Sequence, residues 1–477
     1  MTATDYLVLA IYFAMVIAVG SLAGRRSRTS LAYFLGDRNI HWIPAGITMT
    51  AVSISTITFI GMPGQAFQSD WTFLQLYLAI PAASWLVCRF FLRRFVALQV
   101  ETAYEYLERR FDTRTRLWAG AVFLLIICGS TGVVLYAPAI LLAEMSGASI
   151  PSAILVLGIA TAIYTVVGGV KGVIYTDIIQ AIVFVGGWLF AFLFLLDVIP
   201  GGLTRALAVA SEHGKLHTVE TSLSAPVNIW SSLFGMLFTH VALSGVNQAQ
   251  VQKYLTVSGI SGGRKAILFH GFFLLALYVC FFALGTLLYV FYSGQAGRIP
   301  AGISSDRVFP MFILREMPAG VRGFLIAGAF AAAMSTLSSS LNSLANVTLA
   351  DFLHSEAGKG FVRRARILTC VWTVVVIGAA LLAWQLGSIL EVIVRVNSYF
   401  YGCLLGVFLL GMFTVRASPR GARAGLCASM LAIVALALLQ PDLWPWFGLA
   451  GCAISFLVGY YTSPERREEL EPVPERI

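Results

Sequence analysis

Residues 45–64 read AGITMTAVSISTITFIGMPG. Six hydroxyl side chains (Thr48, Thr50, Ser53, Ser55, Thr56 and Thr58) fall within eleven residues of this apolar run, and Gly61, Pro63 and Gly64 follow at once. A single Ser or Thr in an apolar helix commonly serves close packing against a neighbour. Six of them beside three helix breakers fit a helix that unwinds part-way across a membrane and presents carbonyls and helix ends to a ligand.

The composition around this segment places it in a bilayer. Of 477 residues, 58% are hydrophobic and only 12% are Asp, Glu, Lys or Arg, against about 25% charged in an ordinary soluble domain. A soluble enzyme, a secreted disulfide scaffold and a disordered chain are excluded on these figures. One span takes about 20 apolar residues, so the chain has room for roughly 12 to 14. Thirteen apolar runs start near Tyr6, Trp42, Trp71, Leu117, Ile150, Val173, Val227, Ile267, Val321, Ile367, Ile389, Ala424 and Phe447. The expected fold is therefore an all-α integral membrane protein, residues 1–477 forming a single polytopic domain. The first run has only Asp5 before it and arginines after it, which is the pattern of a retained span and not of a cleaved signal. The seven cysteines lie in or beside apolar runs without a CxxC pair, and the six histidines are scattered. Both sets read as packing or isolated residues, not as metal ligands or a disulfide framework.

The net charge of +9 follows from the loops. Of 32 Lys and Arg, 25 fall on one set of alternate loops, including Arg25, Arg26 and Arg28, Arg89 to Arg116, Lys253 and Arg416 to Arg423; six fall on the other, and Arg395 lies within a span. The excess marks the cytoplasmic side. It predicts an N-terminus outside and a C-terminus in the cytoplasm of a cell, or inner, membrane, with no nucleic-acid surface. Residues 101–116 mix aromatics with charges and read as a short helix on the cytoplasmic membrane face.

Three further polar places stand out, because such residues are costly in a span. In the ninth run Ala332, Ser335, Thr336, Ser338, Ser339 and Asn342 recur at three- and four-residue steps and share a helix face. Their oxygens would suit a small hard cation such as sodium, and the small alanines equally fit tight packing. Asp177 and Gln180 open the sixth run; Asp177 is either an interfacial carboxylate or part of an ion site against the ninth. Arg395 either snorkels to the outer surface or anchors an anionic solute.

The segments AVSISTITFIGMPGQAFQSDWTF, TAYEYLERRFD, GGVKGVIYTDIIQ, NQAQVQKYL and FAAAMSTLSSSLNS resemble the sodium/solute symporter family, along nearly the whole chain. Within it the sequence is most similar to bacterial sodium-coupled sialic acid transporters. The resemblance implies a LeuT-type fold of about 13 transmembrane helices: two five-helix inverted repeats, residues 42–200 and 226–413, with one leading and two trailing helices. It implies a first sodium site at the carbonyls of Ala51, Ile54 and Ala332 and the hydroxyls of Ser335 and Thr336. A second would comprise Asp177, Ser335, Ser338 and Ser339, giving two sodium ions per cycle. Solute contacts would come from Ser53, Ser55 and Thr58, with a third-span glutamine near Gln75. Where the sialic acid branch carries an arginine in its fourth span, this chain has Ser130. That departure admits a neutral sugar, or another acid held by Arg395.

The expected function is sodium-driven import of a small polar solute of sugar or sugar-acid type by alternating access, with sodium as the co-transported ion. No enzyme activity and no obligate protein partner are expected. Proton coupling through Asp177, a single-sodium symporter of a carboxylate, amino acid or vitamin, and a solute sensor with a transporter core are the alternatives.

Overall fold

The computed structural model describes residues 1–24, 29–294, 302–353, 360–383 and 389–464, apart from the side chains of Ile57, Asp306 and residues 389–398. Among the described residues the regular structure is helical, with a single bridge pairing Ile40 and Val257. In chain order the main helices are α1 (Ala3–Ala23), α2 (Trp42–Ser53), α3 (Thr56–Gln68) and α4 (Thr72–Ala97). They continue with α5 (Thr113–Ser146), α6 (Ile150–Val198), α7 (Met236–Gly245), α8 (Gln248–Leu255) and α9 (Gly259–Ser293). The remainder are α10 (Ser305–Glu316), α11 (Val321–Val347), α12 (Phe361–Ala383), α13 (Ile389–Phe413), α14 (Pro419–Leu439) and α15 (Phe447–Tyr461).

Nine helices among the described residues are long and apolar enough to cross a membrane, and α2 with α3, bent by 58°, make a tenth if taken as one span. All thirteen apolar runs fall on helices, two of them inside α6. That helix has 49 residues, about 74 Å at 1.5 Å per residue, more than twice a hydrocarbon core. Gly169 divides it, with φ 55° and ψ −156°, a conformation open in practice only to glycine. A Cβ there would stand 2.8 Å from the Tyr33 ring.

Burial sorts the helices. The apolar window of the α11 span is 89% buried, whereas those of α1, α14 and α12 are 22%, 28% and 33% buried. The α11 span is therefore the centre of the bundle, packed on α6, and the other three line its periphery. Leu125, Ile182, Leu382, Leu431 and Leu438 are exposed on the outside, as a lipid-facing surface requires. Asp5 at the start of α1 accepts from the amides of Gly320 and Gly323 at 2.8 and 3.1 Å, tying α1 to the N-terminus of α11.

The 101–116 segment departs from expectation. It forms a short helix, Glu105–Arg110, but Tyr104, Tyr106 and Leu107 are buried in the protein, not laid on a membrane face. Tyr106 stacks on Phe408 of α13 at 5.9 Å, so protein side chains take up the apolar face that lipid would have covered.

Candidate ion and solute site

The α2–α3 break is built from backbone conformation and two threonines. Ile54 (φ −103°, ψ 104°) and Ser55 (φ −93°, ψ 171°) are extended, and Ser55 caps α3 by accepting from the Thr58 amide. The Ile54 amide still donates to the Ala51 carbonyl at 3.2 Å. Pro63 inside α3 has no amide hydrogen to donate, which loosens the ladder further. On α11, Thr336 donates from its hydroxyl to the Val52 carbonyl at 3.1 Å and lies 3.3 Å from that of Ala332. From α3, Thr56 donates to the Ala329 carbonyl at 2.5 Å. The broken helix is thus held to α11 on both sides of the break by hard oxygen groups. Of the first expected sodium set, Ala332 and Thr336 meet here beside the break that Ala51 and Ile54 flank. The Ser335 hydroxyl points elsewhere.

That hydroxyl donates to Asp177 Oδ1 of α6 at 2.7 Å, while Thr48 of α2 donates to Oδ2. Asp177 is completely buried within the protein. Ser338 donates to the Ser335 carbonyl at 3.1 Å, and the Ser339 hydroxyl is buried without a hydrogen-bond partner. Of the second expected set, Ser335 meets Asp177 at the α6–α11 contact, with Ser338 and Ser339 one turn further along α11. A residue that the sequence did not single out also faces Asp177. Lys253, counted in the basic rim, lies on α8 with its side chain 1% exposed and its ammonium 3.7 Å from Asp177 Oδ2. A buried carboxylate needs a cationic or hydrogen-bonding partner, and NQAQVQKYL, quoted above for the family resemblance, held it.

Next to the break lies a cavity of about 180 Å³. Ser53, Ser55, Thr58 and Ser130 line it, as does Thr336 of α11. Thr131, His240, Asn247, Gln250 and His270 add polar groups that sequence reading did not select, and Tyr77, Tyr278 and Tyr401 supply aromatic faces. No Asp, Glu, Lys or Arg lines it among the described residues. Gln250 of α8 donates to the Ser53 hydroxyl at 2.8 Å and to the Met49 carbonyl at 3.0 Å, bracing α2 just before the break. Gln75 does not reach the cavity: it is buried, donating to the Thr72 carbonyl and accepting from the Glu220 amide. The glutamine that lines the cavity is Gln250. The side chain of Arg395 lies outside the described residues.

The profile of the sodium:solute symporter family fits residues 33–429. The chain belongs to this family. The sodium/sialic acid symporter SiaT of Proteus mirabilis is 31% identical over 96% of this chain and 95% of its own length. The sodium/sialic acid symporter NanT of Aliivibrio fischeri is 29% identical over 98% and 94%. The solved structure of a Na+-coupled sialic acid symporter, substrate-bound and outward-open, superposes with a TM-score of 0.89 at 29% identity, covering 97% of this chain and 98% of that one. This chain is accordingly a multi-pass membrane symporter driven by sodium, and not an enzyme. Thr336 both lines the cavity and donates to the Val52 carbonyl just before the break.

Proposed function

We propose that this symporter imports a small polar organic solute of sugar or sugar-acid type with sodium, by alternating access around the α2–α3 break. The observation that carries this reading is the junction itself: the cavity and the Val52–Thr336–Ala332 oxygens share a wall. Sodium at Ala51, Ile54, Ala332 and Thr336 would hold α2 to α11 and favour the state that admits solute. A second sodium site at Asp177, Ser335, Ser338 and Ser339 belongs to the same reading. Each sodium crossing about 100 mV contributes roughly 2.3 kcal/mol, so two ions support on the order of a thousandfold accumulation of a neutral solute from voltage alone. The relatives' names point to a sugar acid; Ser130 and the uncharged described lining favour a neutral sugar within that range.

The thirteen apolar runs support thirteen spans, with repeats at 42–200 and 226–413, an outer N-terminus and a cytoplasmic C-terminus in the cell membrane. Uptake into proteoliposomes tests the coupling, once a thermal-shift screen of neutral sugars, sugar acids and vitamins in sodium buffer has identified a solute. Accumulation under an inward sodium gradient is expected. Equal uptake with choline in place of sodium, or uptake driven by a proton gradient alone, would replace this reading with the proton-coupled one.

A further inference from the structure

Lys253 and Asp177 are both removed from solvent, yet their separation of 3.7 Å exceeds a charge-assisted hydrogen bond of about 2.8 Å. The ammonium makes no hydrogen bond to any described residue. Asp177 meanwhile takes its two hydrogen bonds from Thr48 and Ser335. Lysine here balances charge without filling the ligand positions around the carboxylate. The buried, unpartnered hydroxyl of Ser339 on α11 is an oxygen of the same set with nothing bonded to it.

A sodium ion among these oxygens and an ammonium beside Asp177 would place two positive charges against one negative charge in a low dielectric. Such an arrangement is strongly disfavoured. Ion and ammonium therefore exclude one another. Lys253 belongs to α8, and the same short helix carries Gln250, which braces Ser53 and Met49 at the solute cavity. Gln252 of α8 donates to the Phe34 carbonyl at 2.7 Å and to Asn342 of α11 at 2.8 Å, so the helix spans from the ion set to the cavity wall.

We propose that Lys253 is a tethered competitor for the second sodium ion: sodium binding at Asp177 displaces the ammonium, and the displaced lysine loosens α8, which passes ion occupancy to Gln250 at the solute cavity. The proposal rests on the sodium reading above and makes Lys253 a positioning residue, not a ligand. A tethered cation has a high effective concentration at its partner, so it lowers the apparent affinity for the free ion and leaves the number of sites unchanged.

Sodium itself is the probe. Equilibrium binding of radioactive sodium to the purified protein is measured for the parent, Lys253→Met, Lys253→Gln, Asp177→Asn/Lys253→Met and Thr336→Ala. Hydrogen–deuterium exchange across residues 248–255 is followed in sodium and in choline. The parent is expected to bind two ions and to exchange faster over 248–255 in sodium. Lys253→Met and Lys253→Gln should bind the second ion roughly tenfold more tightly, with fast exchange that sodium no longer changes. Asp177→Asn/Lys253→Met, in which neither buried charge is left unpaired, should bind one ion and keep the folded control if the single variants are unstable. Unchanged or weaker sodium affinity in both single variants, or exchange insensitive to sodium in a parent that binds two ions, would overturn the proposal and leave the sodium reading intact. Two ions still bound by the Asp177→Asn/Lys253→Met protein would also overturn it. Absence of sodium binding in the parent, or binding untouched by Thr336→Ala, would overturn both.

Discussion

Thr336 and Ser130 show how much one side chain decides. Removing the Thr336 hydroxyl takes away an oxygen at the break and the donor to the Val52 carbonyl. Thr336→Ala should weaken the sodium dependence of uptake about tenfold, close to 1.4 kcal/mol, while Thr336→Ser stays near the parent; a sodium titration of initial rates separates them. Ser130 lines the cavity and donates to the Ile127 carbonyl of its own helix at 3.3 Å. Ser130→Arg would place a bidentate carboxylate donor in an otherwise uncharged lining. The variant should gain thermal stabilisation by sialic acid in sodium buffer, about 2.7 kcal/mol at a hundredfold excess over its Kd, with no such gain in the parent. The hydroxyls of Ser53, Ser55, Thr58 and Ser130 were legible because a hydroxyl inside an apolar run is conspicuous. Gln250 and Lys253 were not, because a polar helix between spans has the composition of an exposed loop.

At the scale of elements, the break of α2 from α3 depends on close approaches that only small residues allow. An added Cβ on Gly285 of α9 would lie 2.2 Å from the Pro63 carbonyl and 2.8 Å from Ala66. Gly285→Ala should force α9 from α3 and cost about 1–3 kcal/mol, seen as a lower melting temperature in detergent. Outside the spans, Asp112 caps α5, accepting from the Thr115 amide at 2.7 Å, and pairs with Arg423 of α14 at 2.7 Å. Partial burial tends to raise its pKa, but the Thr115 hydroxyl, Arg423 and the Thr115 amide outweigh this and hold it below the usual carboxylate range. A folded-state pKa below the unfolded value gives stability that is present above about pH 4 and lost as pH falls through the folded value. The melting-temperature gap between the parent and Asp112→Ala should therefore narrow on acidification below about pH 4. Most elements were readable as runs of apolar residues, and Gly169 within α6 divides two runs that the sequence already separates. The 101–116 helix was readable as amphipathic, but not as buried.

At the scale of the whole molecule, the thirteen-span arrangement predicts that a tag fused after residue 477 is reached by protease only in opened cells, and a tag before residue 1 in intact ones. Labelling of the two fusions on intact and permeabilised cells checks this, and the reverse pattern would invert the orientation. The sequence by itself determined that the chain is a helical membrane protein and that a helix is interrupted within residues 45–64. Those properties are sums over neighbouring residues, which hydropathy and helix breakers record locally. Only the tertiary structure decided that α11 lies at the centre, that Gln75 stays out of the cavity and that Lys253 leaves the rim for Asp177. In a bilayer both the core and the outer surface are apolar, so hydropathy does not tell inside from outside. Buried partners such as Asp177 and Lys253 come from distant segments, and their meeting is set by packing across the bundle.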